Sequence, residues 1–403
     1  MRAARTLRSR GAAVVAPLLA PLLVAQLVAQ LVVLSAAVPA AADSVKLPAV
    51  RSSLAADEPC TPASAEHASG LPWALAALGH TRSLTLSQGA GVTVAVVDTG
   101  VSTAVSGLSG RVTALAGAGV DCVGHGTFAA GLIAGAGEAG GGPAGLAPQA
   151  RILAVRGTDE RGNGSVARVA DGIRAAADAG VSVIYVSVAL ASGKEQLTEA
   201  VEYASRKDAL VVAPLAPDAL PKDRATGELV RPQPWYWPAA VPGVLAVSDY
   251  GPDGGRPDNA PVVAGADLAA PGDSVVGLGA RGTGDFIGSG ASLAAAHVAG
   301  AAALVRARHP EMSAVEVSRQ LTEAAYPAAP PRLDPYAALT AVLAEGPGAA
   351  PRAAKAVVPA AVSAEPRERA LVVAGVGAGV LLLVAGLAVV VPRGRARGWR
   401  PAG

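Results

Sequence analysis

Five apolar runs punctuate the middle of the chain: VTVAVVD (92–98), ARILAVRG (150–157), VSVIYVSVAL (181–190), ALVVAP (209–214) and GVLAVSDY (243–250). Each is short, rich in β-branched residues and apolar at consecutive positions, the pattern of a strand buried on both faces. Between and after them lie Ala-rich stretches with helical spacing: HGTFAAGLIAGA (125–136), VARVADGIRAAADAG (166–180), EQLTEAVEYASRK (195–207) and SLAAAHVAGAAALVRAR (292–308). Buried strands alternating with helices predict an α/β fold, a three-layer arrangement with a mostly parallel central sheet and helices on both faces. In such sheets binding and chemistry gather beyond the carboxyl ends of the strands. Residues 71–343 hold this pattern and are numerous enough to bury a substantial core.

Two apolar segments fall outside it. Residues 1–42 open with Arg2, Arg5, Arg8 and Arg10, run apolar from Ala12 to Ala37 and finish in small residues, which predicts a secretory signal peptide. The long apolar run leaves an uncleaved signal anchor as the alternative. Residues 370–391 carry no charge and are long enough to cross a bilayer as a helix. Arg393, Arg395, Arg397 and Arg400 follow, so the tail 392–403 is expected on the cytoplasmic side and everything before the span outside. Residues 43–70 read as an N-terminal extension, and 344–369, rich in Pro and Ala, as a flexible stalk.

Charge changes the picture once the ends are set aside. The 25 Lys and Arg that remain face 31 Asp and Glu, a net charge near −6. That balance argues against a nucleic-acid partner. Cys60 and Cys122 both lie in the exported part, where an even pair is most simply one disulfide, with two unpaired thiols as the alternative. No metal or cofactor site is readable: DERGNGSVARVADG has acidic and amide groups without EF-hand spacing.

Three contexts carry chemistry. Asp98 ends an apolar run and opens into glycine in GVTVAVVDTG; His125 is flanked by glycines in GHGTFAAGLIAG; Ser292 begins a helix in GSGASLAAAHVAG. A nucleophilic Ser needs a base to take its proton, and the base needs a carboxylate to fix its tautomer. Each piece alone is common in α/β domains. Together, in the order Asp, His, Ser, they resemble the subtilisin-like (S8) serine proteases, with catalytic residues Asp98, His125 and Ser292. His297 falls on the helix behind Ser292, where a packing role is expected; His309 reads as a helix-end residue, and His67 and His80 have no evident partner.

Further segments narrow the resemblance: LPWALAALG, GLAPQARILAVR, WPAAVPGVLAVSDYG, GADLAAPGD and PRLDPYAAL. With a signal peptide, Pro-rich stalk, single C-terminal span and basic tail, the chain is similar to the mycosins, membrane-anchored subtilisin-like proteases of type VII (ESX) secretion systems. The resemblance implies a serine endopeptidase of protein or peptide substrates, a catalytic domain outside the cell membrane, and type VII secretion membrane components as partners. It also implies an N-terminal extension that stays wrapped on the domain, consistent with a Cys60–Cys122 bond.

The pattern breaks in two places. The family's oxyanion Asn stands in a context like VVAAAGN; here the strand reads LVVAPLAPD, which puts Pro217 at the Asn position. Only Asn163 and Asn259 exist in the chain, and neither is in the right context. In subtilisin itself, loss of this one donor costs about 10²–10³ in kcat, roughly 2.7–4 kcal/mol. The family's Gly-Thr-Ser-x-Ala-Ala-Pro has also become Gly290-Ala291-Ser292-Leu293-Ala294-Ala295-Ala296. Gln233 or a water is the compensating donor the sequence offers. Two readings follow: a membrane-anchored endopeptidase with a degenerate oxyanion hole, or a weak or inactive homologue with a structural or regulatory role. The strand YVSVALASG also lacks the family's Ser-Leu-Gly-Gly, so the specificity pocket is not readable.

Overall fold

A computed structural model describes residues 45–137, 142–220, 226–257, 260–343 and 365–398. The signal segment 1–42, most of the stalk and Asn259 lie outside the described residues. The chain divides into two units, Met1–Leu343 and Ala344–Gly403.

The first unit is built on a seven-stranded sheet: β1 Thr93–Asp98, β2 Val112–Ala114, β3 Arg151–Arg156, β4 Val183–Val186, β5 Leu210–Pro214, β6 Leu245–Tyr250 and β7 Leu268–Pro271. Its order is β2-β3-β1-β4-β5-β6-β7, and every pairing is parallel. Alternation along β1 divides the core. Val94 and Val96 point to one layer, Ala95 and Val97 to the other.

The first layer holds helices α3 His125–Ala134 and α6 Ala291–Arg308, and the second α4 Val166–Asp178 and α5 Lys194–Arg206. Helix α6 is buried almost all round, from Ala291 to Arg306. Its many alanines let its backbone lie close to both sheet and α3, which long side chains would prevent. Helices α4 and α5 are amphipathic surface helices, and Ser165 caps α4 by accepting the Arg168 N–H. Short helices α1 Trp73–Ala77 and α2 His80–Leu84 precede the sheet. Helices α7 Ala314–Glu323, with a Ser313/Glu316 capping box, and α8 Pro335–Thr340 close the unit.

All five sequence-predicted strands and all four predicted helices occur at their places. The strands β2 and β7, and the antiparallel pair β8 Val275–Leu278 with β9 Asp285–Gly288, were not expected from periodicity. The first two are sheet edges only three and four residues long, and β7 ends in Pro271.

Residues 45–70 run over this unit as a strap. Ala49 bridges to Ile287 and Ser64 to Gly282, Leu54 is buried, and Cys60 is disulfide-bonded to Cys122. In the second unit, α9 Glu365–Ala396 contains an apolar stretch, Leu371–Gly394, long enough to cross a membrane.

Candidate active site

From β1 the chain leaves towards β2 and β3 on one side, and β4 resumes on the other, so a crevice opens beyond the carboxyl end of β1. Asp98 is the last residue of that strand and fully buried.

His125 is the first residue of α3, and its placement is fixed by a second buried carboxylate that the sequence did not announce. Asp121 accepts hydrogen bonds from the Gly124 N–H (2.8 Å), the Thr99 hydroxyl (2.9 Å), and the Thr127 N–H and hydroxyl (2.8 Å each). It thereby satisfies orphan donors at the start of α3 and ties them to the turn after Asp98. The Thr99 hydroxyl closes the link by accepting the Gly126 N–H at 2.9 Å. A side chain at 126 is impossible here, because its Cβ would lie 2.1 Å from the Gly100 carbonyl oxygen. Arg156, at the end of β3, holds the same turn by donating to the carbonyls of Thr99, Gly117 and Val120.

Ser292 is the second residue of α6, two positions after the N-cap Gly290. The three predicted residues meet. His125 Nδ1 lies 2.8 Å from Asp98 Oδ2, and His125 Nε2 lies 3.0 Å from Ser292 Oγ. All three side chains are buried, Ser292 completely.

Covering Ser292 is a residue that sequence reasoning passed over by one position. It is Asp218, the residue after Pro217, whose carboxyl meets the Ser292 N–H and hydroxyl. Asp218 Oδ1 accepts the Ser292 backbone N–H at 2.9 Å, and Oδ2 accepts the Ser292 hydroxyl at 2.6 Å. The same Oδ2 is 3.6 Å from His125 Nε2. The carboxyl fits because residue 290 is glycine: a Cβ there would lie 2.2 Å from the Asp218 carboxyl carbon.

His125 thus lies between two carboxylates. Burial pulls its pKa down, but Asp98 and Asp218 outweigh this and push it well above the ordinary imidazole value. The crevice walls are Ser187, Val188, Ala189 and Leu190 after β4, Gly162–Gly164 opposite, and Ser52 and Ser53 from the strap. Leu190 exchanges two 2.8 Å backbone hydrogen bonds with Trp237, which holds the apolar wall extended.

The remaining polar candidates are accounted for. Asn163 lines the crevice, but its amide donates to Asp159. Gln233 is exposed and bonded to Tyr236 through its backbone. His297 Nδ1 lies 2.8 Å from the Pro271 carbonyl oxygen, the expected packing role, and His80 Nε2 lies 3.1 Å from that of Gly145. His309 follows the last residue of α6, and His67 is exposed.

The subtilase family model matches residues 89–355. The chain belongs to the subtilase family. Mycosin-1 of Mycobacterium tuberculosis (strain ATCC 25618 / H37Rv) is 29% identical over 386 residues, 81% of this chain and 86% of its own. The structure of a serine protease MycP1, an essential component of the type VII (ESX-1) secretion system, matches with TM-score 0.58 and 29% identity, covering 74% of this chain and 100% of that one. A chain in the periplasmic assembly from the ESX-5 inner membrane complex matches with TM-score 0.59 and 26% identity over 76% of this chain and 97% of its own. This subtilase is therefore a subtilisin-like serine endopeptidase related to the mycosins, and its C-terminal helix fits a membrane anchor.

Proposed function

We propose that this subtilase cleaves peptide bonds through an acyl-enzyme on Ser292. The hydrogen-bonded row Asp98–His125–Ser292, at 2.8 and 3.0 Å, is the observation that carries this reading. Ser292 Oγ attacks the substrate carbonyl carbon as its proton passes to His125 Nε2, and the carbonyl π pair moves onto oxygen. The tetrahedral centre collapses, the C–N bond breaks, and His125 returns the proton to the leaving amine. Water repeats the sequence to release the acyl group. Asp98 holds the imidazole tautomer through Nδ1 and stabilises its cation.

We further propose the organisation read from the sequence: a peptidase domain over 71–343 outside the membrane, a stalk, one span at 370–391 and a basic tail inside. The similarity to MycP1 and to the ESX-5 assembly supports type VII secretion membrane components as partners and an exported protein or peptide as substrate. The alternative, a non-cleaving subunit, is favoured by one observation: the Ser292 hydroxyl and N–H are both engaged by Asp218.

Fluorophosphonate labelling of the full chain in detergent separates the two. Labelling of the wild type and none of Ser292→Ala is expected. Absence of Ser292-dependent labelling, across the pH range in which the protein stays folded, would sink the enzyme reading.

A further inference from the structure

We infer that Asp218 is itself the oxyanion-hole residue, a donor when its carboxyl is protonated and a plug when it is ionised, so that this protease works only while His125 and Asp218 share one proton. The inference rests on the acyl-enzyme reading above and assigns the group that stabilises its tetrahedral centre.

The geometry leads there directly. An oxyanion hole is a place where donors point at a developing negative charge. Here the Ser292 backbone N–H is already taken by an oxygen of Asp218 at 2.9 Å. The second oxygen takes the Ser292 hydroxyl at 2.6 Å, closer than His125 Nε2 at 3.0 Å. With the hydroxyl proton directed at Asp218, nothing from Ser292 is left for Nε2 to accept. The arrangement is complete when Nε2 itself bears a proton, an imidazolium flanked by Asp98 at 2.8 Å and Asp218 at 3.6 Å. Ser292 is then fully buried, its Oγ bound to a carboxylate and its oxyanion site filled by negative charge. That is a resting state.

Counting protons shows how it is left. The reactive state needs His125 neutral, to act as base, and Asp218 neutral, to donate to the oxyanion. It holds one proton across the pair. The resting ion pair also holds one. They are tautomers, and moving a single proton from His125 to Asp218, whose Oδ2 is within 3.6 Å, interconverts them. A neutral carboxyl also holds the Ser292 N–H less strongly than a carboxylate, so that N–H is more readily given up to the substrate oxygen. Removing the shared proton leaves Asp218 ionised in the hole. Adding a second leaves His125 without a lone pair. The rate is therefore bell-shaped in pH, and its limbs belong to the pair rather than to either residue.

Other charged and titratable groups face this pair from several elements. Asp98 on β1 lies against His125. Tyr185 on β4 is buried beneath, its hydroxyl pKa raised by burial and by Asp98 and Asp218. Asp249 on β6, its carboxyl pKa raised chiefly by burial and also by the charge of Asp218, lies 3.9 Å from Arg256.

The test is the pH dependence of fluorophosphonate labelling of the full chain, for wild type, Asp218→Asn and Asp218→Ala, with Ser292→Ala as the blank. The reagent reads the same hole: Oγ bonds to phosphorus, fluoride leaves, the Ser proton goes to His125, and charge builds on the phosphoryl oxygen. Asp218→Asn supplies a permanent donor, so it is expected to label about 10²–10³-fold faster. Its profile should rise to an alkaline plateau instead of falling, and the rise should come at lower pH, because one of the two carboxylates that raise the His125 pKa is gone. Asp218→Ala removes plug and donor together. It should lose the alkaline fall yet stay about 10²–10³-fold slower than Asp218→Asn. An unchanged thermal transition shows that each variant is folded. Labelled wild type with Asp218→Asn no faster, or with the same alkaline limb in all three, overturns the inference and leaves the acyl-enzyme reading standing. No Ser292-dependent labelling in any of them overturns both.

Discussion

His297 is a buried base that the chemistry does not use, and its cost is readable in acid. It sits wholly inside α6, with Nδ1 donating to the Pro271 carbonyl and Nε2 without a partner. Burial lowers its pKa from 6.5 to about 4, and the nearby His80, also pulled down by burial, adds to this. Because the folded value is depressed, the unfolded chain binds more protons between pH 6.5 and 4. Stability is therefore lost as pH falls through that window, by roughly 3 kcal/mol at its lower end. His297→Asn keeps an N–H donor and does not titrate. The drop in urea midpoint from pH 7 to pH 4.5 should be smaller for the variant than for the wild type, and equal drops in both would refute the assignment. At this scale the sequence was an uneven guide. Asp98, His125 and Ser292 were legible because a proton relay demands three residue types in recognisable turns. Asp218 and Asp121 were not, because their roles depend on loops whose path no periodicity reports.

Elements were legible in proportion to their burial on two sides. β1, β3, β4, β5 and β6 are central and read as continuous apolar runs, whereas β2 and β7 lie at the edges with too few residues to form a pattern. The strap 45–70 was legible through its cysteine and the family resemblance, not through any periodicity. It has little apolar content of its own, and Leu54 is its one buried large side chain. What holds it is a row of polar attachments: Arg161 donates to the carbonyls of Glu58 and Ala56, Leu54 N–H donates to the Arg161 carbonyl at 2.9 Å, and Thr61 N–H to that of Cys122 at 3.0 Å. The disulfide spans a sequence separation of 62, for which loop-closure entropy gives about 4 kcal/mol. Cys60→Ser with Cys122→Ser should lower the urea midpoint accordingly. With its covalent tether cut, the strap should also become susceptible to an added protease before the sheet unfolds. A strap cleaved only together with the core would contradict its description as a separately tethered element.

For the whole molecule the decisive contrast is between two surfaces. The first unit buries its apolar residues in two layers on one sheet, while α9 exposes Leu371, Val376, Leu382 and their neighbours, none of them buried in the protein. With these side chains exposed, an apolar helical stretch of 24 residues is stable in water only if something covers it, and a bilayer matches its length. Both core clusters of the described residues lie within the first unit, which ends at Leu343. A chain ended at Leu343 is therefore expected to stay in the aqueous phase on detergent phase separation, with the same melting temperature and the same Ser292-dependent labelling as the full chain. The full chain should partition with detergent and, in sealed vesicles with the basic tail inside, be labelled by a reagent that cannot cross the membrane. Aggregation of the shortened chain would mean that the second unit covers part of the first. Labelling only after the vesicles are opened would reverse the proposed orientation.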